Sequence, residues 1–249
     1  MLKLYHCISA RSFRPLWTLE EMGLDYELVM LPFPPRVFSK EYLSINPLGT
    51  IPTFFDGEMR MTESAGICHY LSTKHGPSPL AVDMADPDYG RWLNWLYMSD
   101  ATLPFPQTLV LRYTHMEPPD RLSPQVATDY ARWFLARLRA VDGTLQQQDF
   151  LCAGRFTAAD VAVGYALLLA EHLGLAKQFP EAVTHYWQRL QTRDAFQRAL
   201  TTQHLAALDQ GVPTTPATSI WFATSAAGAS TRRPRHGNPS TSFHACSRT

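Results

Sequence analysis

The stretch NPLGTIPTFFDGE, residues 46–58, sets a proline inside a run that otherwise reads as a β-strand. Ile51, Thr53, Phe54 and Phe55 favour the pleated, extended backbone. Proline gives a sheet no N–H and is kept out of central strands. Pro52 therefore has to mark the end of its strand and turn the chain. A cis Ile51–Pro52 bond meets that need, since the cis form of an X–Pro bond costs only about 0.5–1 kcal/mol. The N–H and C=O of Ile51 can then face outward and pair with an extended peptide, as one more strand would.

The surrounding pattern supplies the sheet this proline terminates. Residues 2–6 alternate weakly as a first strand, and YELVML (26–31) is a second. Between them Leu16, Leu19 and Met22 recur at helical spacing over 13–22, with Gly23 as the stop. PFPP (32–35) breaks the chain, and a short helix is expected around Ser39–Leu43. TIPTFF is a third strand. Asp56-Gly57 signals a hairpin that returns through EMRM. TESAGICHYLSTKHG (62–76) reads as a helix with Thr62 as its cap and Ile67, Tyr70 and Leu71 as its apolar stripe. The order is βαβ followed by ββα, a small mixed sheet with one parallel and one antiparallel part.

GPSPLAVDMADP (76–87) is a linker by its Pro and Gly content. Beyond it helices are expected over 88–113, 124–147, 158–173, 181–192 and 194–206. In FTAADV (156–161), Thr157 precedes an apolar run with Asp160 three residues on, the pattern of a capping box. This pair is assigned a structural role. After Gly211 the composition turns to Ser, Thr, Ala and Pro with no period, which predicts a disordered tail over 212–249.

Composition narrows the function. Hydrophobic residues make up 45% and charged residues 18%, enough apolar material for a buried core. The longest apolar stretch, VAVGYALLLA (161–170), is too short to cross a bilayer, so no membrane partner is expected. The N-terminus lacks a secretory layout. Four scattered cysteines (Cys7, Cys68, Cys152, Cys246) give neither a disulfide frame nor a metal-ligand spacing; a cytoplasmic protein with reduced thiols and no metal is expected. The chain sums to zero, but the tail holds four arginines and no acid, so residues 1–211 sum to −4. An acidic body argues against nucleic acid as a partner.

Three features of the first half converge on one ligand type. The Ile51 backbone offers a peptide edge. Ser64 and the N-terminus of its helix can hold a carboxylate. Glu63 can accept from an ammonium. Together they suit a small peptide with a free amino-acid head.

NPLGTIP followed by TES, ARSFRPLWTLEEMGLDYELV after the first strand, and FTAAD in the helical half resemble the cytosolic glutathione transferases, over residues 1 to about 205. The resemblance implies an α/β plus all-α architecture: a thioredoxin-like N-terminal domain over 1–77 and an all-helical C-terminal domain over 86–208. It also implies that Pro52 is cis, that Ile51 pairs with the cysteinyl part of glutathione, and that Glu63 and Ser64 hold its γ-glutamyl head. A homodimer is implied as well.

The family's chemistry is thiolate formation on glutathione. A free thiol titrates near 8.5, and lowering it by about two units takes about 2.7 kcal/mol of preference for the anion. The loop SARSFR (9–14) holds a helix N-terminus, two hydroxyls and a cation. Ser12 is the first candidate, then Ser9, then Arg11. Ser12 is equally a plain helix cap, with Pro15 at the third helical position. Tyr97, Phe105, Arg112 and Tyr113, on the helix expected over 88–113, are the candidates for the pocket of an electrophilic, partly apolar second substrate.

Two other functions use the same fold. A glutathione-dependent peroxidase or reductase would be marked by a cysteine in the 9–12 loop, and the sequence has none there. A non-catalytic glutathione-binding or interaction module would bind without turnover.

Overall fold

The computed structural model describes residues 1–216 of the 249-residue chain. The tail expected to be disordered lies, beyond Pro216, outside the described residues.

Strand β1 (Leu2–His6) is followed by helix α1 (Phe13–Met22) and strand β2 (Tyr26–Met30), which pairs with β1 in parallel, Leu4 opposite Leu28. Helix α1 stops where expected: Gly23 adopts φ +60°, and its N–H donates to the Leu19 carbonyl. A short helix α2 (Pro35–Phe38) and a 3₁₀ turn (Lys40–Ser44) cross to β3 (Thr53–Asp56). Strand β3 runs antiparallel to β1, with Tyr5 opposite Thr53. Strand β4 (Met59–Met61) closes the hairpin, and the sheet order is β2-β1-β3-β4. The ladder begins at Thr53, so Pro52 sits just outside it, and the Ile51–Pro52 bond is cis. The expected third strand thus starts later than TIPTFF, because Thr50, Ile51 and Pro52 belong to the turn.

Helix α3 (Ser64–Lys74) ends this half. Its cap differs from the expectation. Glu63, not Thr62, takes the N-cap position, in extended conformation and without a side-chain hydrogen bond to the helix.

The helical half comprises α4 (Tyr89–Tyr97), α5 (Pro104–Leu111), α6 (Pro124–Leu145), α7 (Ala158–His172), α8 (Glu181–Gln191) and α9 (Asp194–Asp209). The single helix expected over 88–113 is interrupted by π-helical turns at Met98–Thr102 and Arg112–Met116. Pro104 and Pro106 bring no amide N–H to that stretch. Each wider turn takes in one extra residue, which rotates the following face by roughly 100°.

Helix α7 is the axis of the core, buried on every side from Ala158 to Ala170. Its first turn carries the expected capping box. Asp160 Oδ2 accepts from the Thr157 N–H at 2.8 Å, and Thr157 Oγ1 accepts from the Ala159 N–H at 3.2 Å. Asp160 Oδ1 also accepts from the Leu151 N–H at 3.1 Å and from the Tyr186 hydroxyl at 2.9 Å. The pair is a structural tie, as assigned. Gly164 lets α1 approach α7: a Cβ there would lie 2.9 Å from the Trp17 ring. Trp17 in turn packs edge-on against Phe196 of α9, ring centroids 4.9 Å apart. One apolar core therefore runs from the sheet into the helical half.

Candidate functional site

The loop before Pro52 is held from behind. The Tyr42 hydroxyl and the Asn46 side-chain amide both donate to the Thr50 carbonyl at 2.8 Å. Asn46 Oδ1 accepts from the Leu48 N–H at 3.2 Å. Gly49 has φ +58°, and a Cβ there would come within 2.6 Å of Arg36 Cβ, so both backbone and space require glycine. Asn, Gly and Pro in NPLGTIP thus shape a rigid turn that presents Ile51.

That turn forms one wall of a cleft of about 700 Å³ between the two halves. Ser9, Ala10 and Arg11 come from the loop before α1. Arg36, Thr50, Ile51 and Pro52 come from the turn and α2. Glu63 and Ser64 come from the start of α3. Across from them stand Thr108, Leu111, Arg112 and Met116, with Tyr165, Leu169 and His172 from one face of α7. The structure brings together Ser9, Arg11, Ile51, Pro52, Glu63, Ser64 and Arg112 among the candidates read from the sequence.

The other candidates do not reach it. Ser12 stands at the N-cap position of α1, yet its hydroxyl neither caps the helix nor lines the cleft. It is fully buried, and its Oγ accepts from the Cys7 N–H at 3.3 Å. Pro15 has no N–H to offer that hydroxyl within α1, and the Cys7 N–H behind it takes the place. Tyr97 and Phe105 are 67% and 50% exposed and line no part of the cleft. Phe105 packs on Trp133, centroids 5.8 Å apart. Tyr113 is likewise absent from the lining; the Arg112 guanidinium sits 5.7 Å over its ring. One π-turn lies between Tyr97 and Phe105 and the other begins at Arg112, so these aromatics do not share the face that a continuous helix would give them.

Arg14 is the largest surprise of the site. Its side chain has no solvent exposure. It donates to Ser64 Oγ at 2.8 Å, to Asp100 Oδ1 at 3.1 Å, to the Ala162 carbonyl at 3.0 Å and to the Ser99 carbonyl. Its guanidinium lies 4.7 Å over the Tyr165 ring. Burial works against its charge and Asp100 supports it. One cation thus links α1, α3, α7 and the first π-turn behind the cleft. An arginine inside the apolar face Phe13, Leu16, Trp17 was the available signal.

Electrostatics at the mouth are mixed. Arg11 donates to Asp100 Oδ1 at 3.4 Å and to Thr108 Oγ1 at 3.2 Å. Arg112 donates to Glu117 Oε1 at 2.5 Å. Arg36 is exposed and lines the cleft. The three cysteines among the described residues are buried, and burial pushes their thiols up, Cys68 and Cys152 to about 11. Tyr5 faces away, packed on Tyr42 at 5.6 Å between centroids.

A mixed four-stranded sheet with a cis-proline heading β3, joined to a helical bundle across a cleft, defines a thioredoxin-like domain followed by a mostly helical remainder. Residues 1–73 match the family model of the glutathione S-transferase N-terminal domain. A zeta-class glutathione S-transferase of Euphorbia esula is 31% identical over 192 residues, spanning 74% of this chain and 77% of the relative. Glutathione S-transferase 3 of Schizosaccharomyces pombe is 25% identical over 207 residues, spanning 76% and 82%. The crystal structure of a glutathione transferase from Methylococcus capsulatus superposes with a TM-score of 0.72 at 25% identity, covering 82% of this chain and all of that one. The chain belongs to the glutathione S-transferase family.

Proposed function

We propose that this chain binds glutathione along the wall from Arg36 to Ser64 and activates its thiol for attack on an electrophilic, partly apolar substrate. The observation that carries this reading is the convergence of Ile51, Glu63, Ser64 and Ser9 on one wall of a single cleft. Ser64 accepts from Arg14, so its own proton is free to donate to a carboxylate. Glu63, exposed beside it, suits the ammonium of the same amino-acid head. The Ile51 backbone runs alongside the middle residue of the tripeptide, and Arg36 faces the carboxylate at the far end. The sulfur then lies near the 9–11 loop.

Of the three candidates for thiol activation, Ser9 takes first place in this reading. Ser9 is part of the cleft wall, whereas the Ser12 hydroxyl is committed behind it. Arg11 adds positive charge, reduced by its contact with Asp100. A hydroxyl donor and a nearby cation both favour the thiolate. Leu111, Met116 and Leu169 give the opposite wall its apolar character, with Arg112 at the rim. Catalysis would rest on holding a thiolate against the electrophile at short range. The two-domain division at the 76–87 linker and a homodimeric assembly belong to the same reading.

The test is glutathione binding by calorimetry and turnover of a chloronitroaromatic. Ser9→Ala is expected to lower kcat/KM by about 10²-fold or more, and Ser12→Ala to leave it within a few-fold. Ser64→Ala is expected to raise the Kd for glutathione by about tenfold or more. Tight binding with no turnover of any electrophile would assign the chain to a binding role instead. Full activity in Ser9→Ala would remove Ser9 from the chemistry.

A further inference from the structure

Ser9 has φ +50°, in the left-handed region that side chains rarely adopt. The residue that holds it there is 194 positions away. Gln203, on α9 and 4% exposed, accepts from the Ser9 N–H with Oε1 at 2.9 Å, and its Nε2 donates to Ser9 Oγ at 3.3 Å. The same Oε1 lies 2.9 Å from His6 Nε2.

The proton positions in this cluster follow in sequence. A backbone N–H can only donate, so the amide oxygen of Gln203 must be the atom facing Ser9 N, and its NH₂ must face the Ser9 hydroxyl. His6 must then donate from Nε2 to that oxygen. His6 is fully buried, and burial lowers its pKa to about 4, so it is a neutral ring with its proton on Nε2. The Ser9 oxygen receives a proton from Gln203 on its inner side. Gln203 is its hydrogen-bond partner among the described residues, and Ser9 lines the cleft, so the hydroxyl proton is left to point outward.

We propose that Gln203 is a positioning residue that sets the direction of the Ser9 hydroxyl proton and thereby the ionisation of a thiol bound in the cleft. The inference rests on the reading of Ser9 given above. It makes α9 part of the thiol-activating apparatus, although no residue of α9 lines the cleft.

The experiment follows thiolate absorbance of glutathione bound to the full-length protein against pH. Gln203→Met removes both hydrogen-bonding ends. Gln203→Glu keeps the acceptor for Ser9 N–H and His6 but puts an oxygen where the donor was. Each is expected to raise the bound thiol pKa by about one unit or more, a tenfold loss of thiolate preference. Neither is expected to raise it further on a Ser9→Ala background. A shift of equal size with and without the Ser9 hydroxyl would overturn the proposal, because the substitution would then be acting on the thiol by another route. So would an unchanged pKa in a cooperatively folded Gln203 variant while Ser9→Ala raises it; that result leaves the Ser9 reading standing. A Ser9→Ala protein with the normal thiol pKa removes both. Should the Gln203 variants not fold, the ¹⁵N shifts of His6 in the unaltered protein report its tautomer. The Nε2–H form is expected at neutral pH, and the Nδ1–H form would overturn the proton ordering.

Discussion

Arg14 Nη1 donates to the Ser64 hydroxyl at 2.8 Å, joining the first helix to the start of the third across 50 residues of sequence. The bond is fully buried, and the same guanidinium reaches Asp100 and two backbone carbonyls of the helical half. The position of Ser64 at the cleft therefore depends on a cation in the core.

Replacing Arg14 should be among the most damaging single changes in the chain. Arg14→Met takes a buried donor from the Ser99 and Ala162 carbonyls and leaves the Asp100 carboxylate to its longer contact with Arg11 at 3.4 Å. Removing one partner of a buried charged group costs about 3–5 kcal/mol; Asp100 is 23% exposed, which argues for the lower end. Arg14→Lys should recover little, because an ammonium cannot reproduce the planar fork. Urea unfolding measures both, and a loss under about 1 kcal/mol would contradict this account.

Asp160→Ala removes the acceptor for the Leu151 and Thr157 N–H groups and the Tyr186 hydroxyl, all buried. Each stranded donor costs about 1–3 kcal/mol, and the capping box is lost with them. A loss of about 3 kcal/mol or more is expected, with glutathione affinity per folded molecule unchanged. Denaturant midpoints and calorimetry on the folded fraction separate the two effects.

His6 should give the protein a pH-dependent stability below neutrality. Its pKa is lowered from 6.5 to about 4 by burial, so the unfolded chain binds its proton first as pH falls. The stabilising contribution is complete above pH 6.5 and is lost as pH drops toward 4. One proton over that interval amounts to about 3 kcal/mol. His6→Asn cannot titrate, so the difference in unfolding free energy between it and wild type should shrink or reverse toward pH 4. Equal pH slopes in the two proteins would show that the ring is not buried neutral.

Gly164 is a packing requirement. A methyl group there would lie 2.9 Å from Trp17 and 3.0 Å from Leu190. Gly164→Ala gains helix propensity but overpacks the junction of α1, α7 and α8, and a net loss of about 1–3 kcal/mol is expected. Trp17 fluorescence should shift along with the lower thermal midpoint. A stabilised variant would mean that Trp17 moves aside freely.

The local order of the chain was legible because it depends on short-range chemistry. Alternation and Asp56-Gly57 located the strands and hairpin, Gly23 ended α1, and Thr157 with Asp160 started α7. NPLGTIP announced the proline turn because its Asn, Gly and Pro each act within a few residues. The helix expected over 88–113 marks the limit of that chemistry: a π-turn is one inserted residue, which hydrophobic spacing does not resolve, and with two of them Tyr97, Phe105 and Tyr113 do not share a cleft-facing stripe.

Sequence alone determined the strands and the hairpin, the turn at Pro52, and the presence of Ile51, Glu63 and Ser64 in one half, because each rests on neighbours within about a dozen residues. Only the tertiary structure decided which serine of the 9–12 loop lines the cleft, and that Arg14 and Gln203 bond to cleft residues from the core. Those facts depend on contacts between helices far apart in the chain, where direction is set by packing and by which donor finds which acceptor in the core.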